Sequence, residues 1–544
     1  MKKILCLLVI FCLIATAFAG CNKDSATNKD ETNSNVSQTL DKDHKYLNGR
    51  PISEYTIIYS ASEPDYTKRA ATYLSEQIKE RTGLDIAVKS DKEQVNALEH
   101  EIVVGETNRN ISKTLDIETQ NVQFSMLADD SHIALEGDYF VIAAAAYYFI
   151  DTYIKTGPFD SNVDKEAKVY DPIVKKAKNY IFFIGDGMGV PQTKLFADYT
   201  AEQFGLHSDG ENEFYGYMFP YIGASRTDSL SGTTDSAAGG TALSSGFKTF
   251  NDRVGMDRSF NNVKSLTEIA IELNKSTAIL TTDLLTGATP ATFSVHTKSR
   301  SNTDEILAGQ AALKEKHGTI FLGGYDANYD KKFITDVLER DFTNTLEKLS
   351  ENENGFFMMY EEAHFDKHGH YADIKNIFKA GVRFNQIIGL AMEYAFYNPE
   401  TFIIMTADHE TSGIIYGKDG HYRCTTTNHT SADVPVFAYG YGAEVFNGVT
   451  VENIQIPKTI AKLWDVELVG FDDDLYPALT KEVEDDVETE DNTDKDGQDE
   501  EIDIIVWIII GALAVAIIAM FIAIVLSLKK KKINKTDETP TGNS

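Results

Sequence analysis

Carboxylate, imidazole, hydroxyl and guanidinium side chains stand at a few points of this 544-residue chain in patterns suited to hydrolysis. Hard and borderline cations take carboxylate and imidazole ligands, and hydrolytic two-metal centres hold their ions ~3.5–4 Å apart to clamp an attacking and a leaving oxygen. Asp186 lies in FIGDGMG, where Gly185, Gly187 and Gly189 leave little bulk around a turn. Alone, Asp-Gly after a strand is usually only a turn. Asp366 and His370 in EEAHFDKHGH are four residues apart and face the same way on a helical turn. His364 and His368 of that segment read as supporting or solvated groups. Asp408 and His409 in TADHETSG and His429 in TTTNHTSADVP extend the set. Ser236, in TTDSAAGGTALSSG, follows Asp235 and precedes small residues that can start a helix. A helix N-terminus beside cations favours both an alkoxide and a phosphate dianion, although a solitary serine in such a run is more often a helix cap. The planar fork of Arg300, in FSVHTKSRS, suits two phosphate oxygens at once.

Elements must bring these groups together. From Tyr180 onward the near-continuous apolar runs YIFFIG, STAILTT, GTIFLGG, GFFMMY, TFIIMTA and VPVFAYG alternate with helical stretches, including one through Phe378 to Tyr397. That pattern predicts an α/β sheet covered on both faces, with ligands beyond the carboxyl ends of its strands. Asp186 follows YIFFIG, Glu361 follows GFFMMY, and Asp408 and His409 follow TFIIMTA, so three acidic strand ends converge on one edge. Ahead of them, YTIIYS, a helix over Tyr66 to Arg81 closed by Gly83, the short runs DIAVKS, EIVVGE, VQFSML and HIALEG, and a helix from Phe140 to Ile154 describe a small α+β unit.

Composition bounds the rest. A hydrophobic share of 42% with 11% aromatics supports a folded core. A formal charge of -32 is the wrong sign for a partner rich in phosphates, so nucleic acid is disfavoured as the ligand. The four cysteines are Cys6, Cys12, Cys21 and Cys424, too few and too scattered for a disulfide framework. MKK and the apolar run Ile4 to Phe18 have the form of an export signal over 1–20. Two processing routes are open: a lipobox at Phe18-Ala19-Gly20-Cys21 with lipidation of Cys21, or simple cleavage after Ala19. A polar linker over 21–45, the α+β accessory unit over 46–172 and the α/β domain over 173–470 would follow, then an acidic stalk over 471–503. The uncharged run Ile504 to Leu528 predicts a single transmembrane helix, and Lys529 to Lys532 place the tail 529–544 in the cytoplasm. The expected location is thus the cell membrane, single-pass, with the α/β domain outside.

From Lys178 to about Gly470 the motifs FIGDGMG, TDSAA, ATPATFSVHTKSR, EEAHFDKHGH, TADHETSG and TTTNHT resemble the alkaline phosphatase family. The resemblance implies a three-layer sandwich around a central, mostly parallel sheet, and a site with two Zn2+ and one Mg2+. It implies that Asp366, His370 and His429 hold the first zinc and Asp408 with His409 the second. It also implies that Asp186 bridges the second zinc and the magnesium and that Thr289 and Glu361 are further magnesium ligands. It implies that Ser236 is phosphorylated in each cycle, that Arg300 clamps phosphate beside Asp235, and that Lys367 approaches phosphate through water. Small phosphate monoesters are the expected substrates, with a phosphodiester or sulfate-ester hydrolase of the same fold, or an inactive surface glycan-binding protein, as rival readings. A homodimer is left open. Two departures stand out. Gly287 occupies the place where relatives carry an Asp or His that reaches the magnesium water, which weakens the expected third site. Gly239-Gly240 replaces a more alanine-like pair, a substitution that loosens a helix by ~1 kcal/mol per glycine. The segment EIVVGETNR, Glu101 to Arg109, resembles the noncatalytic N-terminal domain ahead of several glycoside hydrolases, which leaves a glycan or cell-surface contact open there, although Arg109 alone is more often a surface arginine.

Overall fold

The strand Asn179–Gly185 is apolar along its length because both its faces are covered; all seven of its residues are buried, as are all seven of Phe356–Glu362. The computed structural model describes residues 43–115, 117–199, 214–325, 332–468 and 476–480. The central sheet runs Ile320–Leu322, Ser276–Thr281, Phe356–Glu362, Asn179–Gly185, Thr401–Thr406, Val434–Tyr439, Tyr221–Arg226, Thr450–Glu452. All neighbours are parallel except the two pairings of Val434–Tyr439. Alternation along Asn179–Gly185 divides the core: Ile181 and Phe183 join the cluster under the helix Ile374–Tyr397, whereas Tyr180, Phe182 and Ile184 join the one under Leu266–Glu272 and Gln455–Leu463. Each such aromatic or branched side chain contributes ~2–3 kcal/mol when fully buried.

The accessory sheet has six strands in the order Val88–Ser90, Thr56–Tyr59, Glu101–Val104, His132–Glu136, Phe124–Ala128, Lys168–Tyr170. Its helix Asp65–Thr82 ends where the sequence marked it, on Gly83 at φ 76°. The helix Ile142–Tyr153 packs on Ile374–Tyr397 of the larger unit. Phe140 stacks on Phe396 with centroids 6.0 Å apart, and Arg69 grips Glu393 through two bonds of 2.8 Å to opposite carboxylate oxygens. Arg109 is neither exposed nor available to a ligand. It is 4% exposed, donates to Glu101 at 2.7 and 2.9 Å and to the carbonyl of Gln94 at 2.8 Å, and so braces the interior of this unit.

The strand Tyr221–Arg226 escapes a periodicity reading because YIGASR is interrupted by Gly223. A Cβ there would stand 2.4 Å from the Phe446 carbonyl oxygen and 2.6 Å from that of Val449, so the glycine lets the segment just before the strand Thr450–Glu452 lie against Tyr221–Arg226.

The transmembrane helix is not upheld. Among the described residues no helix is long and apolar enough to cross a membrane. The helix Ile374–Tyr397 has the length, with 24 residues, but carries Lys375, Lys379, Arg383 and Glu393 and covers the sheet. Within the described residues the fold is the α/β domain and its α+β companion, and the single-pass membrane location that rested on a spanning helix is withdrawn. The run 504–528, the residues 481–503 of the acidic stretch, the tail 529–544 and residues 1–42, Cys21 among them, lie outside the described residues.

Candidate functional site

Register sets the parallel strands level at their carboxyl ends. Ile184 pairs with Glu361 on one side and Thr406 on the other, and Thr281 pairs with Glu361. Asp186, Glu361 and Asp408 therefore emerge along one edge. The reversed strand Val434–Tyr439 starts at that edge, which returns His429 to it, and Tyr221–Arg226 ends there, one residue past the Ser225–Val434 pair, on the way to Ser236. Gly187 has φ +81°, and a Cβ on it would lie 2.8 Å from the Cα of Asp366. The Asp366 N–H donates to the Asp186 carbonyl at 2.8 Å, so the helix His364–Gly369 is pressed onto the FIGDGMG turn.

Asp366, His370 and His429 converge. Both imidazole Nε2 atoms lie 3.2 Å from Asp366 Oδ1 and 3.2 Å from each other. Behind them His370 Nδ1 bonds the Thr427 carbonyl at 2.7 Å and His429 Nδ1 that of Thr234 at 2.9 Å, which turns each Nε2 inward. His409 Nε2 lies 3.3 Å from Asp408 Oδ2 and 3.5 Å from Asp186 Oδ1, and its ring stacks on His429 at 3.6 Å. The ligand atoms of Asp366, His409 and His429, and those of Asp186, Asp408 and His409, fall within 4.8 Å of one another. Thr289 sits in the short helix Ala288–Thr292, and Thr281 donates from its hydroxyl to the Glu361 carboxylate.

Burial dominates the electrostatics of the site. Burial, and then the proximity of Asp408 and Asp366, drives the Asp186 carboxyl well above the usual carboxylate range. Burial first also pushes Glu361 up to about 8 and Asp408 up to about 7. Burial would raise Asp366 as well, but bonds from His370 and His429 hold it well below. Burial and the neighbouring His429 push His409 down to about 3, so it is the neutral imidazole that a metal binds. Asp186 Oδ1 and Asp408 Oδ2 are buried with no hydrogen bond of ordinary geometry, each a cost of ~1–3 kcal/mol unless something meets it. An oxygen-rich pocket with three inward imidazoles fits divalent cations.

Ser236 opens the helix Ser236–Ser245, capped by Asp235, whose carboxylate accepts from Ala238 N at 2.9 Å. Its Oγ is 3.2 Å from His409 Nε2. The other Asp235 oxygen accepts from the Arg300 guanidinium at 3.2 Å and from Asp252 N at 3.0 Å. The Asp252 carbonyl in turn accepts from Arg300 N at 2.8 Å. Gly239-Gly240 has a steric purpose that propensity did not reveal. A Cβ at Gly239 would lie 2.7 Å from the Asp408 carbonyl oxygen, and one at Gly240 would lie 2.7 Å from Thr292 Oγ1. The pair lets the Ser236 helix touch both the Asp408 strand end and the Thr289 helix.

Lys367 is turned to Asp283, with which it forms an ion pair. Asp283 was not singled out from sequence, although it stands two residues past the strand Ser276–Thr281, the same signal that marked Asp186 and Asp408. Also missed was the buried support under His364–Gly369: Glu362 is held at about 2 against its burial by Arg383, which donates to it at 2.8 Å, and also meets Thr282 and His364.

Comparison with known proteins finds alkaline phosphatases. The alkaline phosphatase family model matches residues 177–330 and 325–424. That part of the chain is similar to the alkaline phosphatase family. Over 294 residues the chain is 29% identical to alkaline phosphatase 3 of Bacillus subtilis, covering 45% of this chain and 63% of that protein. It thus spans less than two thirds of that relative. Against the alkaline phosphatase of Escherichia coli it is 26% identical over 51% of this chain and 80% of the other. The solved alkaline phosphatase of the Antarctic bacterium TAB5 aligns at 28% identity and a TM-score of 0.44, covering 54% of this chain and 99% of that one.

Proposed function

We propose that the chain hydrolyses phosphate monoesters through a phosphoserine on Ser236, in a centre that takes two Zn2+ and one Mg2+. The observation that carries this reading is the convergence of Asp366, His370 and His429, with Nε2 to Oδ1 distances of 3.2 Å, beside a serine at a helix N-terminus. Asp366, His370 and His429 would hold one zinc and Asp408, His409 and Asp186 the other. Asp186, Thr289 and Glu361 would hold the magnesium. Bound divalent cations supply positive charge that favours the serine alkoxide and offsets charge on the phosphate oxygens. The protein's own part is positional. The Ser236 hydroxyl stands at the positive end of its helix, and Asp235 orients Arg300 so that its fork meets two equatorial oxygens. Oγ gives its proton to solvent water and bonds to phosphorus as the bond from phosphorus to the ester oxygen breaks, the departing oxygen taking a proton from water to leave as the alcohol. A water molecule then bonds to phosphorus as the bond to Oγ breaks, its proton returning to Oγ through solvent, and inorganic phosphate is released.

The test compares an aryl phosphate, a bis-aryl phosphate and an aryl sulfate on metal-loaded protein. The reading requires the monoester to have the highest kcat/KM. A higher value for the diester or the sulfate would replace it with the same-fold rival, and no turnover of any would leave an inactive binding protein.

A further inference from the structure

Gly287 is the position where the magnesium site looks impoverished, yet its backbone does not call for glycine: φ is -54°, open to any residue. What a side chain there would meet is Asp283, whose Oδ2 lies 3.1 Å from the place of a Cβ on Gly287, with the Leu284 carbonyl oxygen also at 3.1 Å. The Asp283 carboxylate therefore stands beside the space that a longer residue at 287 would enter. Its backbone is tied to the same group that holds Glu361. The Thr281 hydroxyl accepts from Asp283 N at 2.9 Å and donates to the Glu361 carboxylate, so one oxygen links both residues. The Asp283 carbonyl takes a bond from Gly324 N, and the carboxylate takes the Lys367 ammonium on Oδ1. Backbone and side chain are thus anchored independently, with Asp283 22% exposed in its side chain.

We propose that Asp283 replaces the missing side chain at 287: it supplies the carboxylate that orders the water shell of the magnesium held by Asp186, Thr289 and Glu361, and it fixes Lys367 beside that shell. This rests on the metal reading above. Magnesium keeps several of its waters when bound to protein, so an oxygen donor one water away from the ion is a chemically apt partner. Losing such a partner typically weakens metal affinity ~10–100-fold. Asp283 acts here as a positioning residue, and Gly287 is small because Asp283 already fills its role.

The experiment titrates magnesium into zinc-loaded protein by calorimetry, with bound zinc and magnesium counted by elemental analysis. Wild type, Asp283→Asn, and the double variant Asp283→Asn with Gly287→Asp are compared. Asp283→Asn should weaken magnesium binding ~10–100-fold with zinc content and melting temperature unchanged, and the double variant should recover most of the loss, a rescue that a merely structural role for Asp283 would not give. Magnesium affinity within twofold of wild type in Asp283→Asn overturns this inference alone, and so does a loss that Gly287→Asp fails to restore. A wild-type chain that takes up zinc but no magnesium overturns the metal reading and this inference with it.

Discussion

Arg300 and the buried titrating groups give the site its residue-scale consequences. The Arg300 fork is steered by Asp235, which the proposed function does not place among the metal-holding residues, so Arg300→Ala should lower kcat/KM by ~10²-fold while zinc content stays whole, the effect of removing one preorganised donor. Steady-state kinetics with metal analysis checks it. Proton linkage gives a second expectation for metal-stripped protein. Asp186, Glu361 and Asp408 have folded values raised by burial, the last two to about 8 and about 7. His370 is raised to about 9, chiefly by its bond to Asp366, and His429 is raised by Asp366 against its burial. Each raised group binds more protons folded than unfolded, so each loses its stabilising contribution as pH rises. His409, lowered to about 3, and Asp366 act in more acid solution. From about pH 6.5 to 8, below the range in which Lys275, lowered by burial to about 8, acts with the opposite sign, these signs agree: the stripped protein should melt at progressively lower temperature as pH rises. Zinc and magnesium should flatten that slope. A stripped protein whose melting temperature holds or rises over this range would contradict the burial of unpaired acids.

At the scale of elements, the Ser236 helix separates two accounts of its glycines. Propensity alone says that Gly239→Ala gains ~1 kcal/mol. The contact of 2.7 Å to the Asp408 carbonyl says that it loses ~1–3 kcal/mol and displaces Asp408, which the proposed function assigns to zinc. Denaturant unfolding with a zinc count decides, and the structure requires loss in both. This pair also marks where sequence reading stops. The strands carrying Asp186, Glu361 and Asp408 were legible because both faces of a buried parallel strand must be apolar, and the helix closing on Gly83 was legible from its stop signal. The ligand set came from motifs that resemble a family, not from spacing alone. Asp283, the Glu362–Arg383 support and the contacts that require Gly223, Gly239 and Gly240 were not legible, since each depends on which segments lie against one another across long sequence separations. The spanning helix read from 504–528 found no counterpart among the described residues, where length and apolar character part company in Ile374–Tyr397.

For the molecule as a whole, the accessory unit is fastened to the larger one through Ile374–Tyr397, the helix that also covers the sheet bearing the candidate site. Glu393 on that helix is 8% exposed in its side chain, and its carboxylate is gripped by Arg69 at 2.8 to 3.0 Å. Removing one partner of a buried pair costs ~3–5 kcal/mol, and because Arg69 itself is 44% exposed the loss in Arg69→Met should be nearer ~1–3 kcal/mol. Thermal melting should show it, with turnover at 25 °C little changed; an unchanged melting temperature would mean that the aromatic contacts around Phe140 hold the units together without the ion pair. The central claim concerns chemistry at one oxygen, and one measurement reaches it. Metal-loaded protein mixed with an aryl phosphate, quenched in acid and digested, should yield by mass spectrometry a peptide carrying one phosphate on Ser236. Ser236→Ala should retain its zinc, lose that adduct and lose most of its turnover. Full turnover in Ser236→Ala, or a phosphate on any other residue, would contradict the account.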